Sequence, residues 1–282
     1  MKKVDSGVPF VIPALALLAL VTVYPVTYVV VLSLQRRMPI FDISRFVGLD
    51  NYRFLLQDDR FWNALGNTAY FTALSVTVEL LLGLAVALLM ERRFRLKGIA
   101  RAVILVPWAI PTVVSARMWE WIFNTDFGVL NYLTGLRINW LGSPFWAMHA
   151  AVLVDVWKTT PFVAILLMAG LQAIPRDLYQ AARVDGAGSW AVFRHVTLPL
   201  LRPVILVVLL FRTLDAFRVF DAVYVLTGGG PANTTETLSI YAYRVLFQTL
   251  QFGYGSALAV TVFFFTGLIS VGYIRLLTRG RS

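Results

Sequence analysis

The 282 residues include no cysteine, which removes both a disulfide framework and a thiolate metal centre. There are two histidines, His149 and His195, and they lack the spacing of a zinc ligand pair. Charged side chains make up 14% of the chain and hydrophobic ones 59%, with mean hydropathy +0.73. That balance excludes an ordinary soluble domain and marks an integral membrane protein. No segment reads GxxxxGK followed by Ser or Thr, so the chain has no phosphate loop for ATP. Paired acids or a metal cluster near a membrane interface are also missing, which argues against an enzyme acting on lipid-linked sugars. The net charge of +10 would suggest nucleic acid in a soluble protein. Here membrane topology accounts for it better, and no nucleic-acid partner is expected.

What the chain does have is long apolar runs. Six approach or exceed the roughly 20 residues of a spanning helix: Val8 to Leu34, Gly66 to Met90, Ala102 to Phe123, Trp146 to Ala173, Val204 to Leu226 and Ser256 to Leu276. They predict an all-α polytopic protein with one membrane domain over 8–276, a cytoplasmic N-terminus over 1–7 and a cytoplasmic tail over 277–282. The first run is too long for a signal-peptide core and is expected to stay as an anchor. With the N-terminus inside, Lys and Arg number 14 on the cytoplasmic side and seven outside. Arg36, Arg37, Arg45, Arg53 and Arg60 in the first outer loop run against that bias. Trp62, Trp119, Trp121, Trp140 and Trp146 fall near outer boundaries, as an aromatic belt would. Thr227 to Gln251, opening on a Gly-Gly-Gly-Pro run, is expected to break the helix and form a structured outer turn. Gly66, Gly83 and Gly170 are expected to permit close helix packing.

A polar island over 174–203 interrupts the apolar pattern. Pro175 suits a first helical position, Arg176 to Val184 form a short helix, and Gly186 stops it. Ser189 is then expected to cap a second short helix that ends before Leu198 and Pro199. This bent hairpin projects Leu178, Tyr179, Ala181, Ala182 and Ala187 on one side, where small residues let another backbone approach. A docking surface and an amphipathic connector lying among headgroups both fit.

Two spans carry charge. Asp155 and Lys158 lie three apart beside Trp157 and ahead of Phe162, while Arg212, Asp215, Arg218 and Asp221 alternate in sign every three residues. Each unpaired charge costs roughly 2.5 to 3.5 kcal/mol to insert, so these groups must face protein or water. At 1.5 Å per residue Asp155 lies about 14 Å from the outer end of its span and Arg212 about 12 Å from the inner end of its own. Both groups therefore approach the midplane, where transporters hold substrate. Three-residue steps drift about 60° on a helix, so the span-five series cannot line one cavity unless the helix breaks. A substrate site at Arg212, Asp215 and Arg218 and a set of structural ion pairs both remain open. Glu79 reads as a helix-packing hydrogen bond, and Arg117 with Glu120 as a structural pair.

The island resembles the EAA loop of ATP-binding-cassette (ABC) importer permeases. Gln180, Ala181, Ala182, Gly186, Val196, Leu198 and Pro199 stand at the spacings of Glu-Ala-Ala, Gly and Ile-x-Leu-Pro, with Gln180 removing the family's charge and Val196 replacing its Ile. DGAG over 185–188, WKTTPF over 157–162 and LTGGGP over 226–231 make the chain similar to the maltose- and trehalose-type branch. The resemblance implies a bacterial cytoplasmic-membrane importer of a disaccharide. Its partners would be a second permease, two ATP-binding subunits and an extracytoplasmic sugar-binding protein. No cofactor is expected in this chain, because the partner subunits would hydrolyse ATP. The coupling surface would comprise Leu178, Tyr179, Gln180, Ala181, Ala182, Asp185, Gly186 and Ala187, and the sugar would meet Asp155, Trp157, Lys158 and Phe162. An ion-coupled secondary transporter using Asp155, Asp215 or Glu79 is the competing class.

Overall fold

In hydrocarbon the backbone must satisfy its own hydrogen bonds, so the apolar runs become helices. The computed structural model describes residues 8–92 and 95–279. The expected N-terminal segment 1–7, the last residues of the tail and two positions of the first inner loop lie outside the described residues. In chain order the elements are α1 (Val8–Leu18), a π-helical turn (Ala19–Val23), α2 (Tyr24–Ser33), β1 (Gln35–Met38), β2 (Ile43–Phe46), α3 (Asp50–Gln57), α4 (Asp59–Glu91), α5 (Lys97–Ala109) and α6 (Thr112–Ile122). They continue with α7 (Val129–Thr134), α8 (Pro144–Gln172), α9 (Arg176–Val184), α10 (Ser189–Val192), a π-helical segment (Phe193–Thr197), α11 (Leu198–Phe217), α12 (Asp221–Leu226), α13 (Leu238–Tyr243) and α14 (Phe252–Arg279). Among the described residues five helices are long and apolar enough to cross a membrane, or six when the α5 and α6 pair counts as one bent span.

One compact unit takes the chain up to Trp62 together with Tyr241–Phe264. In it β1 and β2 form an antiparallel hairpin pairing Gln35 with Phe46, Arg36 with Arg45, Arg37 with Ser44 and Met38 with Ile43. Asn51 Nδ2 donates to the carbonyls of Ser33 (2.7 Å) and Gln35 (2.9 Å), tying α3 to the end of the first span. Tyr241 and Tyr254 both donate to Asp58 Oδ2. Burial, then the hydrogen bond to that carboxylate, pushes the Tyr241 phenol above its ordinary range and keeps it a donor.

The other unit takes Asn63–Ile240 and the chain from Phe265 on. Among the described residues its core includes two clusters. One gathers Phe71, Phe123, Met148, Val152, Val154 and Ile240, the other Ala87, Val163, Leu167, Leu171, Leu201 and Val208. Of the expected outer turn over Thr227 to Gln251, 227–237 and 249–251 lack helix, and α13 and a π-helical stretch (Arg244–Gln248) lie between them. Asn63 and Asn67 each donate to the Asn233 carbonyl at 3.0 Å, and the Leu238 amide donates to Thr68 Oγ1 at 2.9 Å.

The structure corrects four expectations. The third span is not straight: α5 and α6 meet at 95°, because Pro111 drives Ile110 out of the helical region to ψ 133. The fifth span ends at Phe217 rather than Leu226, with Arg218 Nε donating to the Leu214 carbonyl at 3.1 Å and Thr237 Oγ1 to the Val219 carbonyl at 3.1 Å. The second hairpin helix does not stop before Leu198. Ser189–Phe217 runs on as one helix through the π-helical segment, whose wider turn accommodates Pro199. Ser189 is the first residue of that helix rather than its cap, which is Gly188.

Glycine packing is also selective. A Cβ on Gly83 would sit 2.5 Å from Val163 Cγ1 and one on Gly170 2.7 Å from Leu201 Cδ1, whereas Gly66 has nothing within 4 Å and permits no close approach. Overpacking costs typically about 1 to 3 kcal/mol. Gly83→Ala is therefore expected to lower the melting temperature of the purified protein, and Gly66→Ala to leave it unchanged or slightly raised.

Candidate functional site

The charges of α8 and α11 converge with Glu79 of α4. The Arg212 guanidinium, 3% exposed, donates from Nε to Glu79 Oε2 at 2.6 Å and from Nη2 to Glu79 Oε1 at 2.9 Å. Nη2 also donates to Asp155 Oδ2 at 3.0 Å, and Nη1 donates to Asp215. The Thr159 hydroxyl lies 2.7 Å from both Glu79 Oε1 and the Asp155 carbonyl. A planar fork matched to a carboxylate is the geometry that guanidinium does best, and it is what makes a fully buried Glu79 tolerable. Glu79 is thus the buried anchor of Arg212, while the Asp215 side chain is 68% exposed.

That exposed edge opens into a cavity of about 380 Å³ lined by Trp108, Thr159, Phe162, Phe211, Arg212, Leu214, Asp215 and Arg218. Trp108 and Phe162 stack with centroids 6.2 Å apart and planes inclined by 28°. The cavity combines an aromatic wall with donors and acceptors of both signs, at the lower end of the size range of small-molecule sites. Asp155 is buried behind Arg212 instead of lining it. Trp157 stands edge-on to Trp119 at 5.5 Å, and Lys158 Nζ donates to the Ile110 carbonyl at 2.5 Å instead of pairing with Asp155. Asp221 is exposed on α12 and joins no ion pair among the described residues. Arg117 and Glu120 do pair, at 2.6 Å.

At the other polar region, α9 ends in a Schellman cap. The Ala187 amide donates to the Ala182 carbonyl (2.9 Å) and the Gly186 amide to the Arg183 carbonyl (3.1 Å), with Gly186 at φ +75. Leu178, Gln180, Ala181 and Asp185 are exposed, Ala182 and Ala187 are half-buried, and Tyr179 packs on the Leu167 and Leu201 cluster. Between α9 and the helix that follows lies a hollow of about 730 Å³ whose lining includes Arg176, Tyr179, Gln180, Arg183, Ala187 and Trp190.

The profile of the family described as binding-protein-dependent transport system inner membrane component matches residues 79–280. This chain belongs to that family. The permease is 41% identical over 278 residues to the trehalose/maltose transport system permease protein MalF of Thermococcus litoralis, covering 97% of this chain and 94% of that protein. It is 43% identical over 267 residues to the trehalose transport system permease protein SugA of Mycobacterium tuberculosis, covering 94% and 86%. In fold it matches a bacterial ABC transporter involved in the import of the polysaccharide alginate, with TM-score 0.83, 23% identity, and 96% and 94% of the two chains covered.

Within this permease, four of the seven residues singled out for substrate, Phe162, Arg212, Asp215 and Arg218, line one cavity, and Asp155, Trp157 and Lys158 do not. Trp108, Thr159 and Phe211 line the same cavity without having been expected there. Trp108 had no signal, because a straight third span gives no reason to aim it at α8. Removing one partner of a buried ion pair costs about 3 to 5 kcal/mol, against less than about 1 for an exposed one. Thermal unfolding of Glu79→Ala should show the larger loss and Asp215→Ala the smaller. Equal losses would contradict the anchoring role of Glu79.

Proposed function

We propose that this permease, with a second permease subunit, forms the pathway of an ATP-driven importer of a neutral disaccharide of the trehalose or maltose class. The observation that carries the reading is the cavity beside Arg212, where an aromatic pair faces Asp215 and Arg218. Sugars are held by stacking against aromatic faces and by charged or planar hydrogen-bonding groups at the hydroxyls. Phe162, Arg212, Asp215 and Arg218 make these contacts in the proposed site, with Trp108 added to them. Asp155 acts behind Arg212, while Trp157 and Lys158 shape the wall and the bend beside it. The names of the relatives support the sugar class.

In the same proposal two ATP-binding subunits dock on the hairpin over 174–203, at Leu178, Tyr179, Gln180, Ala181, Ala182, Asp185, Gly186 and Ala187, and an extracytoplasmic binding protein delivers the sugar. The membrane domain spans 8–276, with both termini and the hairpin on the cytoplasmic side of a bacterial cell membrane. Closure of the ATP-binding subunits moves the hairpin as a lever, because its first helix is capped at Gly186 and its second is continuous with α11. No step needs a cofactor held by this chain.

A hydrogen bond to a charged group contributes about 1.5 to 3 kcal/mol, so Asp215→Ala is expected to raise the KM for trehalose or maltose uptake by tenfold or more. Uptake by proteoliposomes that persists without ATP but collapses with an uncoupler would replace this mechanism with ion coupling. Ala182→Trp is expected to leave the permease inserted while the ATP-binding subunits no longer co-purify; undiminished co-purification and transport would remove the docking surface from the hairpin.

A further inference from the structure

Three arginines sit where the charge bias of the chain does not ask for them. Arg36 and Arg45 face each other across the β1 and β2 hairpin, and like charges directly opposite destabilise a strand pair. Arg37 adjoins them. Among the described residues none of the three has a carboxylate partner, whereas Arg53 pairs with Asp50 at 3.5 Å. The three line a cavity of about 280 Å³ completed by Met38, Val47, Asp50, Asn51, Phe54, Gln251 and Tyr254. The cavity is built on a fixed frame: Asn51 bonds the carbonyls of Ser33 and Gln35, and a Cβ on Gly253 would collide with the Gln35 carbonyl.

Its position decides what fills it. The first apolar span, Phe10–Ser33, ends two residues before β1 begins, so the hairpin lies at headgroup level. Ile40, Phe41 and Phe46 on the same hairpin are 62%, 70% and 74% exposed, and Phe54 on the cavity wall is 57% exposed. Exposed aromatic rings beside unpaired guanidinium groups fit an interface, with the rings in the acyl boundary and the cations among the phosphates. A soluble anion would leave the rings in water.

We propose that this cavity binds the phosphodiester headgroup of an anionic membrane lipid. Arg36, Arg37 and Arg45 supply the charge, the Asn51 and Gln251 side chains lie beside it as further polar groups, and the rings hold the acyl chains. The lipid offsets the repulsion across the hairpin and fixes the loop to the membrane surface. Asp50 on the cavity rim pairs with Arg53 at 3.5 Å with both side chains well exposed, so that pair contributes little and neither residue belongs to the binding set.

The test uses the full-length permease purified in detergent, exchanged against phosphatidylglycerol or phosphatidylcholine and read by native mass spectrometry for retained lipid. Preferential retention of phosphatidylglycerol is expected. Each arginine near an anionic lipid is worth about a fivefold change in binding, so Arg36→Gln should lose about fivefold and the triple Gln variant about a hundredfold. Arg53→Gln should lose nothing, and the triple Lys variant, which keeps the charge, should retain most of the preference. Equal retention of the two lipids by the unmodified protein overturns the proposal, as does an equal loss in Arg53→Gln. Displacement of the lipid by excess inorganic phosphate assigns the cavity to a soluble anion and overturns it too.

Discussion

A guanidinium enclosed by three carboxylates from three helices is the constraint on which the permease depends. Arg212 is buried, cannot lose its proton, and must meet an anion wherever α11 goes. Glu79 on α4 gives it a two-point partner and Asp155 on α8 a third contact, so these helices are locked in register by directional bonds as well as by small-residue packing at Gly83 and Gly170. Apolar contact alone contributes little specificity between helices in lipid, since the tails are as apolar as the side chains. The charged knot supplies it, and Asp215 carries the knot's outer edge into the cavity.

The division of labour within that knot explains how the membrane domain can contain groups that are costly to bury. Glu79 and Asp155 are satisfied inside the protein, whereas Asp215 and Arg218 are exposed to whatever occupies the cavity. Stability and exposure to the cavity thus fall on different residues of one network. Phe162 and Trp108 add the apolar face, and the aromatic wall owes its position to the break before α6.

Much of this was legible in the chain. Hydrophobic runs, proline and glycine placement and the EAA-type spacing located the spans and α9, because each depends on local propensity or on a pattern within one segment. Mid-span charges pointed to Arg212 and Asp215 for the same reason, since an unpaired charge in hydrocarbon is expensive wherever it is. Partner choice was not legible. Asp155 and Lys158 looked suited to each other at three residues apart, yet Asp155 meets Arg212 on α11 and Lys158 the Ile110 carbonyl in the break before α6. The end of α11 at Phe217 has no proline or glycine to announce it, and the Arg218 side chain that caps the Leu214 carbonyl there is no recognisable stop signal. That end also depends on Thr237 reaching the Val219 carbonyl from a segment 18 residues away. Pro199, in contrast, was read too literally: a π-helical turn absorbs it without a break.

The bend between α5 and α6 frees the carbonyl of Ile110 from helical bonding, and the ammonium of Lys158 takes it. Oxygen and cation therefore satisfy one another in part: the carbonyl regains a donor, and the ammonium gains one acceptor for its three N–H groups. If the third span were drawn straight, the carbonyl would return to the helix and the lysine would lose that acceptor. Curvature of that segment and the whereabouts of one positive charge are a single variable.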